Sequence, residues 1–198
     1  MKLIGIDPSL TGTAVCIGNG GERETEIKRT VTKNMGDHPA GRIKRIEKVV
    51  SEVERLISGG DANLILIETY AFGSNTVAYS AELGGILRWH LLDHTKHLFE
   101  VAPLTLKKFL TGKGKGQKEV IAGAIGAKFG RTFPNNDETD AFGLYQLARA
   151  VTFDPETLPR YQAECLATVF GDSLAAVRAA CAHNGEDGSN GQEESPAF

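Results

Sequence analysis

Four carboxylates carry the chemistry this sequence could do: Asp7, Glu68, Asp137 and Asp140. Asp7 sits in Lys2-Leu3-Ile4-Gly5-Ile6-Asp7-Pro8-Ser9, whose apolar first half reads as a central strand, with Ala14, Val15 and Ile17 on a hairpin partner. A buried carboxylate without a partner is costly or neutralises itself. No Lys or Arg lies in the turn that follows, so a metal ion is the natural partner. Glu68 closes a second apolar run, Asn63-Leu64-Ile65-Leu66-Ile67-Glu68. Asp137 and Asp140 stand three apart at a helix start, which puts their Cβ atoms roughly 5–6 Å apart on one face. If the two apolar strands are adjacent and parallel, their acids emerge at one sheet edge.

Without cations such a group repels itself by roughly 4 kcal/mol per close pair, for an effective dielectric near 20. Oxygen-only ligands suit Mg²⁺ or Mn²⁺. Two such ions about 3.5–4 Å apart activate water and stabilise the leaving oxygen in phosphodiester hydrolysis. The plainer reading makes Asp137 and Asp140 helix-start acids and Glu68 a solvated strand end. Asp7, inside an apolar strand, resists it.

A second feature is cationic. From Lys107 to Arg131 the chain carries Lys107, Lys108, Lys113, Lys115, Lys118, Lys128 and Arg131 against the single acid Glu119, around the glycine-spaced loop Thr111-Gly112-Lys113-Gly114-Lys115-Gly116. Mobile lysines of this kind neutralise a nucleic-acid backbone without reading its sequence. Tyr70 and Phe72 follow Glu68 directly, and either one, placed beside the site, could stack on a base. His90, His94 and His97 have near-helical spacing, but the interleaved Trp89, Leu91, Leu92 and Leu98 favour a helix end over a zinc site.

The elements that must position these groups follow from periodicity. A third strand, at a sheet edge, is expected over Glu24–Thr32, and a loop over Gly36–Gly41. Ile43, Ile46, Val49, Val50, Val53, Leu56 and Ile57 then mark one face of a helix that ends at Gly59-Gly60. A helix from Val77 to about Lys96, a fifth strand at Leu98–Ala102, and helices over Leu104–Leu110, Glu119–Phe129 and from Asn135 to about Val151 complete an α/β domain with a mixed five-stranded sheet. Residues 1–153 read as the main domain, 154–183 as a helical extension, and 184–198 as a tail of disordered composition.

The 198 residues hold one solid domain plus an appendage. A net charge of −3 argues against a bulk polycation and leaves room for a local basic stripe. Three scattered cysteines without a C-x-x-C pair read as reduced thiols. No run of eighteen apolar residues is present and the chain opens on a strand, so a cytoplasmic protein with no membrane span is expected.

With Gly5-Ile6-Asp7-Pro8-Ser9, Ile67-Glu68 and Asp137-x-x-Asp140-Ala141 in this order, residues 1 to about 152 resemble the RuvC family of Holliday-junction resolvases, nearest its phage-type relatives. The opening departs from the family's G-I-D-P-G pattern at Ser9. The resemblance implies a ribonuclease-H-like fold, with the first three strands antiparallel and the fourth and fifth parallel to the first. It implies that Asp7, Glu68, Asp137 and Asp140 are catalytic metal ligands for two Mg²⁺ ions, with Mn²⁺ as a substitute. Lys107 and Lys118 fall at the family's catalytic lysines, and the family aromatic aligns with Tyr70 or Phe72. The implied partners are branched DNA, above all four-way junctions, and a second copy of the chain.

Other classes remain open on the residues. Asp7-x-Ser9-x-Thr11-Gly12 looks like the phosphate loop of the actin and sugar-kinase group, but the chain has no room for the second domain those proteins close over ATP. A non-cleaving junction-binding protein would need the basic segment and not four acids. A nuclease of the same fold acting on RNA or RNA–DNA hybrids would use the same acids.

Overall fold

The computed structural model describes residues 1–21, 25–33, 38–70, 77–114, 118–153 and 155–182. Its strands are β1 (Leu3–Asp7), β2 (Thr13–Gly18), β3 (Thr25–Thr30), β4 (Leu64–Glu68) and β5 (Leu98–Val101). They form one sheet in the order β3-β2-β1-β4-β5. The β1–β2 and β2–β3 pairs are antiparallel, whereas β4 pairs parallel with both β1 and β5. The central place of β1 and the mixed sheet match the sequence expectation.

Strand alternation divides the core between the two sheet faces. Ile4, Ile6, Val15, Ile65 and Ile67 point to one face, covered by α1 (Pro39–Ile57) and α2 (Val77–Leu91). Leu3, Ala14, Cys16, Leu64 and Leu66 point to the other. That face meets α3 (Pro103–Thr111), α4 (Lys118–Phe129) and α5 (Asn136–Ala150). By the same parity Gly5, Asp7 and Glu68 belong to the α5 face.

Two boundaries and one buried position differ from the periodicity. The expected loop Gly36–Gly41 gives way to helix at Pro39, because proline suits the first helical turn and the His38 ring accepts from the Ala40 N–H at 3.3 Å. Ile43, expected on the buried face, is 44% exposed. Helix α2 stops at Leu91 instead of Lys96. Asp93 and His94 donate to the His90 and Leu91 carbonyls, and the chain then turns to pair with the β4 segment through Ala62 N–H to His94 O (2.8 Å) and Ile65 N–H to His97 O (2.9 Å).

The C-terminal segment forms α6 (Arg160–Phe170) and α7 (Leu174–Ala182). Cys165, Leu166, Phe170, Val177 and Cys181 are buried in the same core as α5 and β1. Phe170 meets Phe99 of β5 edge-on at 4.9 Å, and the Gln162 amide donates to Phe109 O at 3.0 Å. The 23-residue run Arg160–Ala182 contains an 18-residue stretch of mean hydropathy 1.4, enough by length and composition to cross a membrane. One face of it is nevertheless committed to α3 and β5. Residues 184–198 lie outside the described residues.

Candidate metal centre

Three of the four acids converge. One carboxylate oxygen from each of Asp7, Glu68 and Asp140 lies within 4.8 Å of the others. Asp7 ends β1 and Glu68 ends β4, which run parallel and side by side from Leu3↔Leu64 to Ile6↔Ile67. Their C-terminal ends therefore coincide, as sites in such sheets require. Asp140 arrives from α5 on the same face.

Gly5 sets how closely α5 can lie. A Cβ at Gly5 would meet the Tyr145 amide nitrogen at 2.5 Å and Leu144 Cβ at 2.9 Å, and would also press on Ala141 O. Only a glycine lets the helix backbone rest on the strand. Further along, the Tyr145 hydroxyl donates to Gly21 O (2.7 Å) and accepts from the Gly20 N–H (3.1 Å), tying α5 to the end of β2.

The start of α5 is capped by Asn135, whose side-chain oxygen accepts from the Glu138 N–H at 2.9 Å while its amide donates to Glu138 Oε1 at 2.9 Å. Neither Asp137 nor Asp140 serves as the N-cap. Asp137 instead takes a 2.7 Å ion pair from Arg29 Nε of β3, leaving it outside the three-oxygen group. The expected four-acid cluster is thus three acids together and a fourth held beside them. Arg29 carries no motif, and its one sequence signal is parity. It lies opposite Ala14, which lies opposite Asp7, so all three side chains share a sheet face.

Asp7 is 9% exposed. Burial pushes its carboxyl well above the usual carboxylate range, and the Glu68 and Asp140 charges, a hydrogen bond with Glu68 and the Asp137 charge push the same way. An all-oxygen, carboxylate-rich donor set suits a hard divalent cation, so the residues fit the expected metal.

The turn after Asp7 is held from within. Ser9 and Thr11 hydroxyls pair at 2.9 Å and Thr13 Oγ1 donates to Ser9 O at 2.7 Å, while Arg45 Nη2 of α1 donates to Leu10 O at 2.7 Å. The hydroxyls that suggested a phosphate loop are thus engaged with one another.

The other expected site residues are spread more widely. Lys107 is half-buried on α3, Lys113 is exposed past its end, and Lys118 opens α4. Lys108, expected to meet DNA, pairs with Glu164 of α6 at 2.9 Å. Tyr70 is half-buried just beyond Glu68. Phe72 and Lys115 lie outside the described residues. His90 Nδ1 pairs with Glu54 at 2.6 Å. The three cysteines are unbridged and buried, and burial pushes the Cys16 thiol up to about 12.

A mixed five-stranded sheet with an acidic centre at the ends of its two central parallel strands defines the ribonuclease-H-like class. A family model described as crossover junction endodeoxyribonuclease RuvC matches residues 3–129, and the chain belongs to the RuvC family. A crossover junction endodeoxyribonuclease RuvC of Sulfurovum is 25% identical over 153 residues, covering 73% of this chain and 92% of that protein. One from Helicobacter pylori is 27% identical over 125 residues, covering 62% and 78%. Among solved structures, Thermus thermophilus RuvC in complex with a Holliday junction substrate superposes with a TM-score of 0.58 at 14% identity, covering 76% of this chain and 94% of that one.

Proposed function

We propose that this protein is a divalent-metal-dependent endonuclease that nicks branched DNA, four-way junctions above all. The observation that carries the reading is the convergence of Asp7, Glu68 and Asp140 on the face where β1 and β4 end together. Like charges gathered in a half-buried place are unfavourable unless a cation is to be bound there. The family relatives, named as crossover junction endodeoxyribonucleases, supply the substrate class.

Asp7, Glu68 and Asp140 would hold Mg²⁺ or Mn²⁺, with Asp137 completing a second ion's site. When bound, the pair of ions supplies an activated water and charge stabilisation at the leaving oxygen of the phosphodiester. Lys107 and Lys118 neutralise charge near the scissile phosphate. Lys113 and Lys115 draw the backbone in, Lys108 adds to them when it leaves Glu164, and Tyr70 or Phe72 stacks on a base at the branch point. The surface of α1 and α2 supports pairing with a second copy: Trp89 is 72%, Leu92 59% and Ile43 44% exposed, beside a groove of about 320 Å³ lined by Ile46, Val50, Ile86 and His90. Such a dimer would present two centres to opposed strands of a junction in the cytoplasm.

The test is incubation with a mobile four-way junction, a linear duplex and an RNA–DNA hybrid, with and without Mg²⁺. Cutting of the junction alone, dependent on Mg²⁺ and lost in Asp7→Asn, is expected. Cleavage unaffected by Asp7→Asn sinks the enzyme reading, and preferential cutting of the hybrid redirects it to RNA.

A further inference from the structure

Beside the acidic centre stands a cation to which the metal-centre reading gives no role. Arg29 places Nε 2.7 Å from Asp137 Oδ2, and the two side chains are only 28% and 27% exposed. The guanidinium reaches that place by crossing Gly12. A Cβ at Gly12 would fall on Arg29 Nη2, Cζ and Nε, so the turn after β1 is shaped around the arginine. Asp137 is still near enough for its charge to be felt at Asp7. The acids are therefore divided: three lean on one another, and the fourth is already neutralised by a side chain from the edge strand.

We propose that Arg29 is a positioning residue that occupies the second cation's place, holding Asp137 so that a second divalent ion binds only in exchange for the guanidinium. The inference rests on the proposed metal centre and adds an order of loading to it. The first ion meets three gathered carboxylates. The second must break a charge-assisted hydrogen bond and leave Arg29 to solvent or to a phosphate. A protein built this way holds one ion firmly and a second weakly in the absence of substrate.

The experiment is Mn²⁺ titration of the full chain without DNA, followed by calorimetry and by the electron paramagnetic resonance of free Mn²⁺. Wild type is expected to take one ion per chain tightly and a second at least about tenfold more weakly. Arg29→Gln removes the competing charge and is expected to tighten the second site by about tenfold, leaving the first little changed. Arg29→Lys, which keeps the charge, retains the wild-type isotherm. Gly12→Ala, whose methyl group displaces the guanidinium, shifts the second site in the same direction as Arg29→Gln. An Arg29→Gln protein that melts cooperatively yet gives the wild-type isotherm overturns the proposal. If Arg29→Gln does not fold, a wild-type isotherm from Gly12→Ala overturns it instead. Asp7→Asn separates the two readings: should it bind Mn²⁺ as wild type does, the metal centre itself fails and this inference with it.

Discussion

Replacing Asp7 by Asn should stabilise the protein when no metal is present. Its carboxyl shares a space of 4.8 Å with those of Glu68 and Asp140. At that separation two ionised groups repel by about 3.5 kcal/mol for an effective dielectric of 20, and burial adds to the penalty. The Asp7 pKa is raised in the folded chain. The folded state therefore binds this proton more tightly than the unfolded state does. Stability from this group is complete below the ordinary carboxylate value near ~4 and is lost as pH climbs through the raised value. Asn does not titrate, keeps the shape, and can donate to Glu68. In EDTA at pH 8 the expected gain is about 3 kcal/mol, or roughly 6–12 °C in Tm for a chain of this size. The gap should close towards pH 4. Saturating Mn²⁺ should reverse the order, since an ion at about 1,000 times its Kd adds about 4.1 kcal/mol to wild type alone. Urea denaturation from pH 4 to 8, with EDTA or Mn²⁺, reads all three outcomes. An Asn variant less stable than wild type at pH 8 in EDTA, or a gap that does not vary with pH, would refute the account of the acidic group.

Gly5→Ala should cost about 3 kcal/mol by driving α5 from β1, and should weaken Mn²⁺ binding in step because Asp140 moves with the helix. Equal Mn²⁺ affinity in a destabilised Gly5→Ala protein would show that Asp140 is placed by something else. Glu164→Gln should free Lys108 from its 2.9 Å partner and tighten four-way-junction binding two- to threefold at low salt, an effect lost at high salt. A gel-shift titration that shows no change removes Lys108 from the DNA surface. Truncation after Phe153 should give an insoluble or dye-binding chain, because it strips Leu166, Phe170 and Val177 from the core. A truncated chain melting at the wild-type temperature would make the extension dispensable.

Much of the sheet was legible because its signals are local. Leu3–Asp7 and Leu64–Glu68 are apolar runs that end in acids, and their parallel pairing brings those ends together. Asn135 announced the start of α5 through its own side chain. What could not be read was the partner choice of long side chains. Asp137 and Asp140 are equivalent by spacing, yet one turns to Arg29 and the other to Asp7, a difference set by where α5 crosses the sheet. Lys108 looked like its neighbours in a basic run until α6, distant in sequence, brought Glu164 to it. The end of α2 was misjudged for a similar reason. Helical periodicity continues past Leu91, but the His94 and His97 carbonyls are claimed by the Ala62 and Ile65 amides around the start of β4.

The route by which the acids meet also bears on when the acidic centre can form. Asp7 leaves the ribosome early, Glu68 next, and Asp140 only after all five strands, the last of which ends at Val101, have been synthesised. The pairing of β1 with β4 can form first, but α5 closes the centre and is the latest of the three to emerge. A chain that has not yet reached α5 therefore carries only Asp7 and Glu68 of these carboxylates. Incomplete or prematurely terminated products lack Asp140 altogether, so fragments that stop short of α5 cannot assemble the three-carboxylate group.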